Sequence, residues 1–278
     1  MKLGAVFPHW AISSDPIAIR DFVQAVEGLG YDYILIYESL ISAQSDEPPE
    51  GWHEPFTLLS FMAGITRRLE FATGIVVLPS RQTALVAKQA AELDLLTGGR
   101  LRLGVAVGAS EAEYQAMGIA FGDRGQRIEE QIAVLRKLWT EPFVTFHGTY
   151  HHLEGAGIYP RPVQQPIPIW IGGGVDPVLK RVANFGDGWM MYAETLESAP
   201  EKLDKLRRYI AEAGRQPDDV ALNIVGIEIG EDADWGKLVD DWSNLGVTYL
   251  DVSTWKSGFT TWDQHLNAIR RFKQAVSH

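Results

Sequence analysis

The segment Ile169-Trp170-Ile171-Gly172-Gly173-Gly174-Val175-Asp176-Pro177 carries the sharpest chemical signal in the chain. An apolar, strand-like run enters three glycines and then an Asp-Pro pair suited to opening a helix. Glycines let a phosphate approach backbone N–H groups closely, and a helix N-terminus adds a favourable dipole. The same pattern also serves as an ordinary turn between strand and helix, and Asp176 puts an anion beside the proposed phosphate. Glu38 is expected at a strand end, as a general base or a partner for a ring N–H, or else as a salt-bridged loop acid. His9 is read either as a proton donor at the site or as a loop histidine. Arg124 and Arg127 either reach a phosphate tail or form surface ion pairs. His151 and His152 are adjacent rather than four apart, which is poor ligand spacing, so no metal site is expected. With no cysteine in the chain, a thiolate nucleophile and disulfides are excluded.

Such residues need elements to hold them, and the sequence supplies a repeating set. Asp15-Pro16 opens a helix with a carboxylate N-cap and proline in the first turn. Ile19, Phe22, Val23, Val26 and Leu29 follow at the spacing of one buried helical face, and Gly30 is placed to end it. The junction Leu29-Gly30-Tyr31-Asp32-Tyr33-Ile34-Leu35 resembles Leu245 to Asp251, and Phe185-Gly186-Asp187-Gly188-Trp189-Met190 is a third version. Repeated helix–glycine–strand junctions are expected where helices return to successive parallel strands. Strands are predicted over 3–7, 33–37, 71–77, 101–107, 167–171, 188–191, 221–229 and 248–252. Amphipathic runs around Leu85 to Leu96, Ile128 to Trp139, Leu203 to Ile210, Trp235 to Leu245 and Leu266 to Phe272 fill gaps between them. The alternation in residues 143–153 around His147-Gly148 reads as a hairpin inserted between the fourth and fifth strands. The expectation is an α/β fold, a single (β/α)8 TIM barrel spanning residues 1–278.

In a barrel the active site lies where strands end and loops begin. That rim is expected to hold His9, Trp10, Tyr37, Glu38, Pro79, Gly108, Gly172 and Ser253, with Trp255 beyond. It is rich in aromatic and small residues and poor in ligands, which suits a planar organic cofactor better than a metal. A net charge of −11 argues against a nucleic-acid surface or an anionic membrane as partner. No apolar stretch approaches the roughly 20 residues that span a bilayer, and Met1 to Phe7 is too short for a signal peptide. The expected location is the cytoplasm.

Several segments together resemble the luciferase-like monooxygenase superfamily. They are Thr73-Gly74-Ile75-Val76-Val77-Leu78-Pro79, Leu93 to Val105, Asp123-Arg124-Gly125-Gln126-Arg127, Pro168 to Gly174 and Phe185 to Trp189. They occur in order over nearly the whole chain, and the branch they most resemble contains the deazaflavin (F420)-dependent oxidoreductases. The resemblance implies a (β/α)8 barrel, a homodimer, and hydride transfer between F420 and a small organic substrate. It implies a non-proline cis peptide at Gly74-Ile75, with Gly74, Ile75, Val76 and Gly108 against the cofactor ring. It also makes Gly172, Gly173, Gly174 and Val175 the phosphate-contacting turn. Two positions depart from the family. Ser39 stands where relatives carry a histidine, and Ala109 stands where some dehydrogenases carry a glutamate, so sugar-phosphate dehydrogenation is not expected.

The implied reading is therefore an F420-dependent oxidoreductase. Trp10, Tyr37 and Trp255 would face the substrate, and Glu38 or His9 would supply the proton. Two alternatives stay open: an FMN-dependent monooxygenase on the same barrel, and a flavin- or deazaflavin-binding protein without turnover.

Overall fold

A computed structural model describes residues 1–12, 15–41, 51–229 and 234–276. Asp15 accepts a hydrogen bond from the Ile17 N–H at 2.9 Å and caps the helix Pro16–Gly28, which buries Ile19, Phe22, Val23 and Val26. Gly30 turns the chain with φ of +77°, and the second strand, Tyr33–Ile36, follows fully buried. The left-handed turn is the reason a glycine recurs at that junction.

Eight parallel strands close a barrel. They are Lys2–Val6, Tyr33–Ile36, Glu70–Thr73 with its continuation Val76–Val77, Leu101–Ala106, Ile169–Gly172, Gly188–Tyr192, Ala221–Glu228 and Tyr249–Ser253. The first strand pairs with both the second and the eighth, and the third pairs with the fourth, so the ring has no edge. The third strand breaks at Gly74-Ile75, whose peptide bond is cis, and pairing resumes with Val76 opposite Val105.

Most strand ends fall within one residue of expectation, and two boundaries differ by more. The fifth strand starts at Ile169 rather than 167, because Pro166 and Pro168 lack the N–H groups a ladder needs. The hairpin pairs Val144–His147 with His152–Ala156, so it runs three residues past 153. One helix of more than two turns was not expected from the sequence. Pro55–Ala63 is capped by Glu54, which accepts from the Thr57 N–H at 2.7 Å, and it buries Phe56, Leu58, Leu59, Met62 and Ala63. A helix apolar on most sides shows no stripe for a period to find.

The main core lies between the strands and the helices around them, while a smaller cluster of Val6, Tyr33, Leu35, Tyr37, Trp170, Met190 and Val225 fills the barrel itself. Among the described residues no helix is long and apolar enough to cross a membrane.

Candidate functional site

At the carboxyl ends of the strands a cavity of 460 Å³ opens. Gly74 and Ile75 line it from the third strand, Gly108 and Ala109 from the loop after the fourth, Gly172 from the end of the fifth and Gly173 from the loop after it. Tyr37, Trp52, Met190, Tyr192, Val225 and Trp255 complete an apolar, largely aromatic wall. A second cavity of 540 Å³, between the ends of strands six to eight and the helix Trp235–Asn244, shares Tyr37, Tyr192, Val225 and Trp255 with the first. Space and apolar walls with few polar groups are what a planar ring with a narrow polar tail requires.

The glycine turn is shaped for close approach. A Cβ on Gly172 would lie 3.0 Å from Ile75 Cγ2, so a side chain there would narrow the slot between the third and fifth strands. Gly173 has φ of +115°, a conformation only glycine adopts readily. Its N–H makes a long bond of 3.4 Å to Met190 O, and its carbonyl accepts from Trp189 Nε1 at 2.7 Å. Asp176 is held away from phosphate duty by Tyr209 Oη at 3.2 Å and Lys205 Nζ at 3.7 Å.

The sequence-named residues separate into three groups. Gly74, Ile75, Gly108, Gly172, Gly173, Tyr37, Glu38 and Trp255 meet at the cavity. Gly174 and Val175 lie outside its lining, with Val175 64% exposed, and Val76 is fully buried in the wall. Trp10 stands behind the rim, its ring centroid 5.9 Å from Trp255 and 6.2 Å from Trp52.

His9 is 1% exposed and does not line the cavity; it packs on Phe7, Trp52 and His53. Its Nδ1 accepts from the His53 N–H at 3.2 Å, and its Nε2 has no hydrogen-bond partner among the described residues. Burial, with the neighbouring His53 adding to it, pushes its pKa down to about 3, so it is a neutral packing histidine at physiological pH.

Glu38 is at the cavity, but its carboxylate is fully buried and both oxygens are engaged. Oε1 accepts from the Val77 N–H at 2.8 Å, and Oε2 accepts from Arg81 Nη2 at 2.6 Å. Burial raises its pKa against the pull of Arg81. The arrangement makes Glu38 a clamp on the chain just past Gly74-Ile75. A free base it is not.

Three features went unnamed in the sequence reading. Trp52 lines the cavity from the approach to the unexpected helix. Fully buried Asp251 takes hydrogen bonds from Tyr33 Oη at 3.1 Å, Asn223 Nδ2 at 2.9 Å and the Gly226 N–H at 2.6 Å. It thereby fixes the bulge in the seventh strand that carries Val225 into the cavity wall. Desolvation raises its pKa to about 6 in spite of those bonds. Beneath it Arg102 lies among the rings of Tyr33, Tyr249 and Trp170 at 4.2, 4.3 and 4.8 Å.

Residues 5–228 match the luciferase-like monooxygenase family. The chain belongs to that family. An F420-dependent glucose-6-phosphate dehydrogenase of Kineococcus radiotolerans is 30% identical over 265 residues, covering 89% of this chain and 74% of the relative. An FMNH(2)-dependent dimethylsulfone monooxygenase of Pseudomonas putida is 28% identical over 199 residues, covering 70% of this chain and 54% of the relative. A solved F420-dependent secondary alcohol dehydrogenase, in complex with an F420-acetone adduct, has the same fold with a TM-score of 0.82. Its sequence identity is 17%, over 100% of this chain and 99% of that one. Flavin and deazaflavin cofactors both occur among the relatives of this luciferase-like chain. Within this luciferase-like site Ala109 lines the cavity as a bare methyl, and Ser39 donates its hydroxyl to Ile41 O at 3.1 Å.

Proposed function

We propose that the chain is an F420-dependent oxidoreductase that moves hydride between the deazaflavin and a small organic substrate. The observation that carries this reading is the poverty of the cavity in acid–base groups. Glu38 is the one ionisable carboxylate among the 460 Å³ cavity's described lining residues, and both its oxygens are taken. Apart from the phenols of Tyr37 and Tyr192, the described lining offers no free acid, base or nucleophile. The site therefore depends on the bound group for its chemistry, and F420 would supply hydride at its ring carbon. The protein's share is then orientation and dryness. Gly74, Ile75, Gly108 and Gly172 would bound the ring, and the turn through Gly173 and Gly174 would take the phosphate. Tyr37, Trp52, Tyr192 and Trp255 would cover the exposed face and exclude water.

The same reading takes residues 1–278 as one domain, acting as a homodimer in the cytoplasm. The match to an FMNH(2)-dependent relative favours FMN as the second reading. Titrating the purified chain with F420 and with FMN, following each chromophore, tests both. Saturable binding of F420 with weak or no FMN binding is expected. Tight FMN binding without F420 binding moves the assignment to the monooxygenase reading, and binding of neither removes both.

A further inference from the structure

We propose that Lys202 is the cation that receives the cofactor phosphate at the glycine turn, released for that task by the carboxylate of Glu194. The proposal rests on the phosphate lying at that turn, as in the function proposed above.

Lys202 projects from the helix Ala199–Glu212, and its Nζ is paired with Glu194 Oε1. A Cβ built on Gly174 would lie 2.7 Å from Glu194 Oε1 and 3.0 Å from Lys202 Nζ. The ion pair therefore rests directly on the turn, in the space that a side chain at residue 174 would fill. Glu194 is held there firmly: its side chain is 3% exposed, and its other oxygen accepts from Ser198 Oγ at 2.8 Å. A carboxylate against a phosphate turn is a rival anion. Pairing with Lys202 cancels its charge, and the ammonium has three N–H donors to divide between two acceptors. When a phosphate arrives, Lys202 has only to turn part of its donor set from one anion to the other. The second acid near the turn, Asp176, is already occupied by Tyr209 and Lys205. Lys202 is a binding residue in this account and takes no part in hydride transfer.

The pair predicts opposite effects for its two members. Charge removal in Lys202→Gln should weaken FMN or F420 binding at least tenfold. Glu194→Gln removes the rival and should tighten binding about threefold. Phosphate-free partners, riboflavin and the deazaflavin core of F420, separate phosphate recognition from ring recognition. Their affinity should be unchanged in both variants, with circular dichroism confirming the fold. An equal loss for the phosphorylated and phosphate-free forms in Lys202→Gln would show a merely structural pair and overturn the proposal. So would weakened binding of the phosphorylated cofactor in Glu194→Gln. Binding of neither cofactor by the parent chain is a distinct failure, which removes the functional reading and this inference with it.

Discussion

The two ends of the barrel interior are built on opposite terms. At the amino end a guanidinium, Arg102, sits 6% exposed among three aromatic rings, with Glu70 3.6 Å from its Nε. Asp251, Asn223 and Tyr33 add a hydrogen-bonded cluster above it. At the carboxyl end the same ring of strands encloses 460 Å³ of space walled by glycines and aromatics. Charge that would be costly in an apolar core is tolerated below because Arg102 lies against three ring faces and the Asp251 carboxylate accepts three hydrogen bonds. Above, the polar groups are withdrawn into the wall, as the clamped carboxylate of Glu38 shows. The lesson is a division of labour: the lower plug holds the strands in register, and the upper cavity is left free for a ligand. Substitutions below should therefore change stability and leave affinity alone, while substitutions above should do the reverse.

The largest effect is expected from Arg102→Ala. It removes three cation–π contacts and leaves a void, while Glu70 keeps its pair with Lys2, for a loss of about 3–4 kcal/mol in unfolding free energy. Urea denaturation reads that loss, and cofactor affinity of the folded variant should stay within twofold. A loss below about 1 kcal/mol would mean that the plug is not what sets the stability of the lower barrel.

Next comes the pH dependence carried by Asp251. Its pKa in the folded chain is raised from 3.8 to about 6, so the native state prefers the protonated form more than the unfolded chain does. The carboxylate therefore opposes folding at high pH, and that penalty disappears as pH falls from about 6 towards 3.8. At 1.36 kcal/mol per unit the penalty is about 3 kcal/mol at pH 8. His9 works in the other direction: its pKa falls from 6.5 to about 3, so its contribution is complete above pH 6.5 and is lost as pH falls towards 3. The two overlap in the parent chain, and the difference between parent and Asp251→Asn isolates the first. That difference should shift by about 3 kcal/mol between pH 8 and pH 3.5 in favour of the variant at high pH. An identical difference at both pH values would place Asp251 in contact with water, contrary to its full burial.

Trp255→Ala turns to the other end. Its half-buried ring lines both cavities and touches Trp10 and Trp52. Cofactor affinity should fall about tenfold, equivalent to about 1.4 kcal/mol, while unfolding changes by about 1 kcal/mol or less. The reverse pattern, with stability lost and affinity kept, would erase the contrast between the two ends.

What the sequence discloses follows the same divide between local and distant causes. Asp15-Pro16, the stripe from Ile19 to Val26 and the turn at Gly30 act through neighbours a few residues away, and all three were legible. The glycine turn and the rim positions were legible because a closed barrel puts strand ends on one face. The plug was not. Arg102, Asp251 and Asn223 take their meaning from strands far apart in sequence, and nothing local marks a buried charge as satisfied. Glu38 was read as a base, a ring N–H partner or a salt-bridged acid, and nothing local chose among them, since the partners that occupy it, Val77 and Arg81, lie 39 and 43 residues on. The helix Pro55–Ala63, and Trp52 before it, escaped because an apolar run without a polar face has no period.

Val175→Ser should give the smallest effect, and it tests where the upper region ends. Val175 occupies the N-cap position of the helix Asp176–Phe185, in extended conformation, and the helix has no side-chain cap. The valine is 64% exposed and contributes nothing to the cavity lining. A serine there can accept from the N–H of Val178, which bonds only back to Val175 O at 2.8 Å in a tight first turn. N-cap serine is typically worth about 1 kcal/mol over an apolar residue. With that N–H already partly satisfied, a gain of about 0.5 kcal/mol in urea denaturation is the expected result. Val178 lines the cavity with its side chain, but a phosphate held by Gly173 and Gly174 takes no bond from its N–H, so cofactor affinity should not change. A tenfold loss of affinity would show that the phosphate draws on the Val178 N–H, extending the binding region past the glycines to the helix itself.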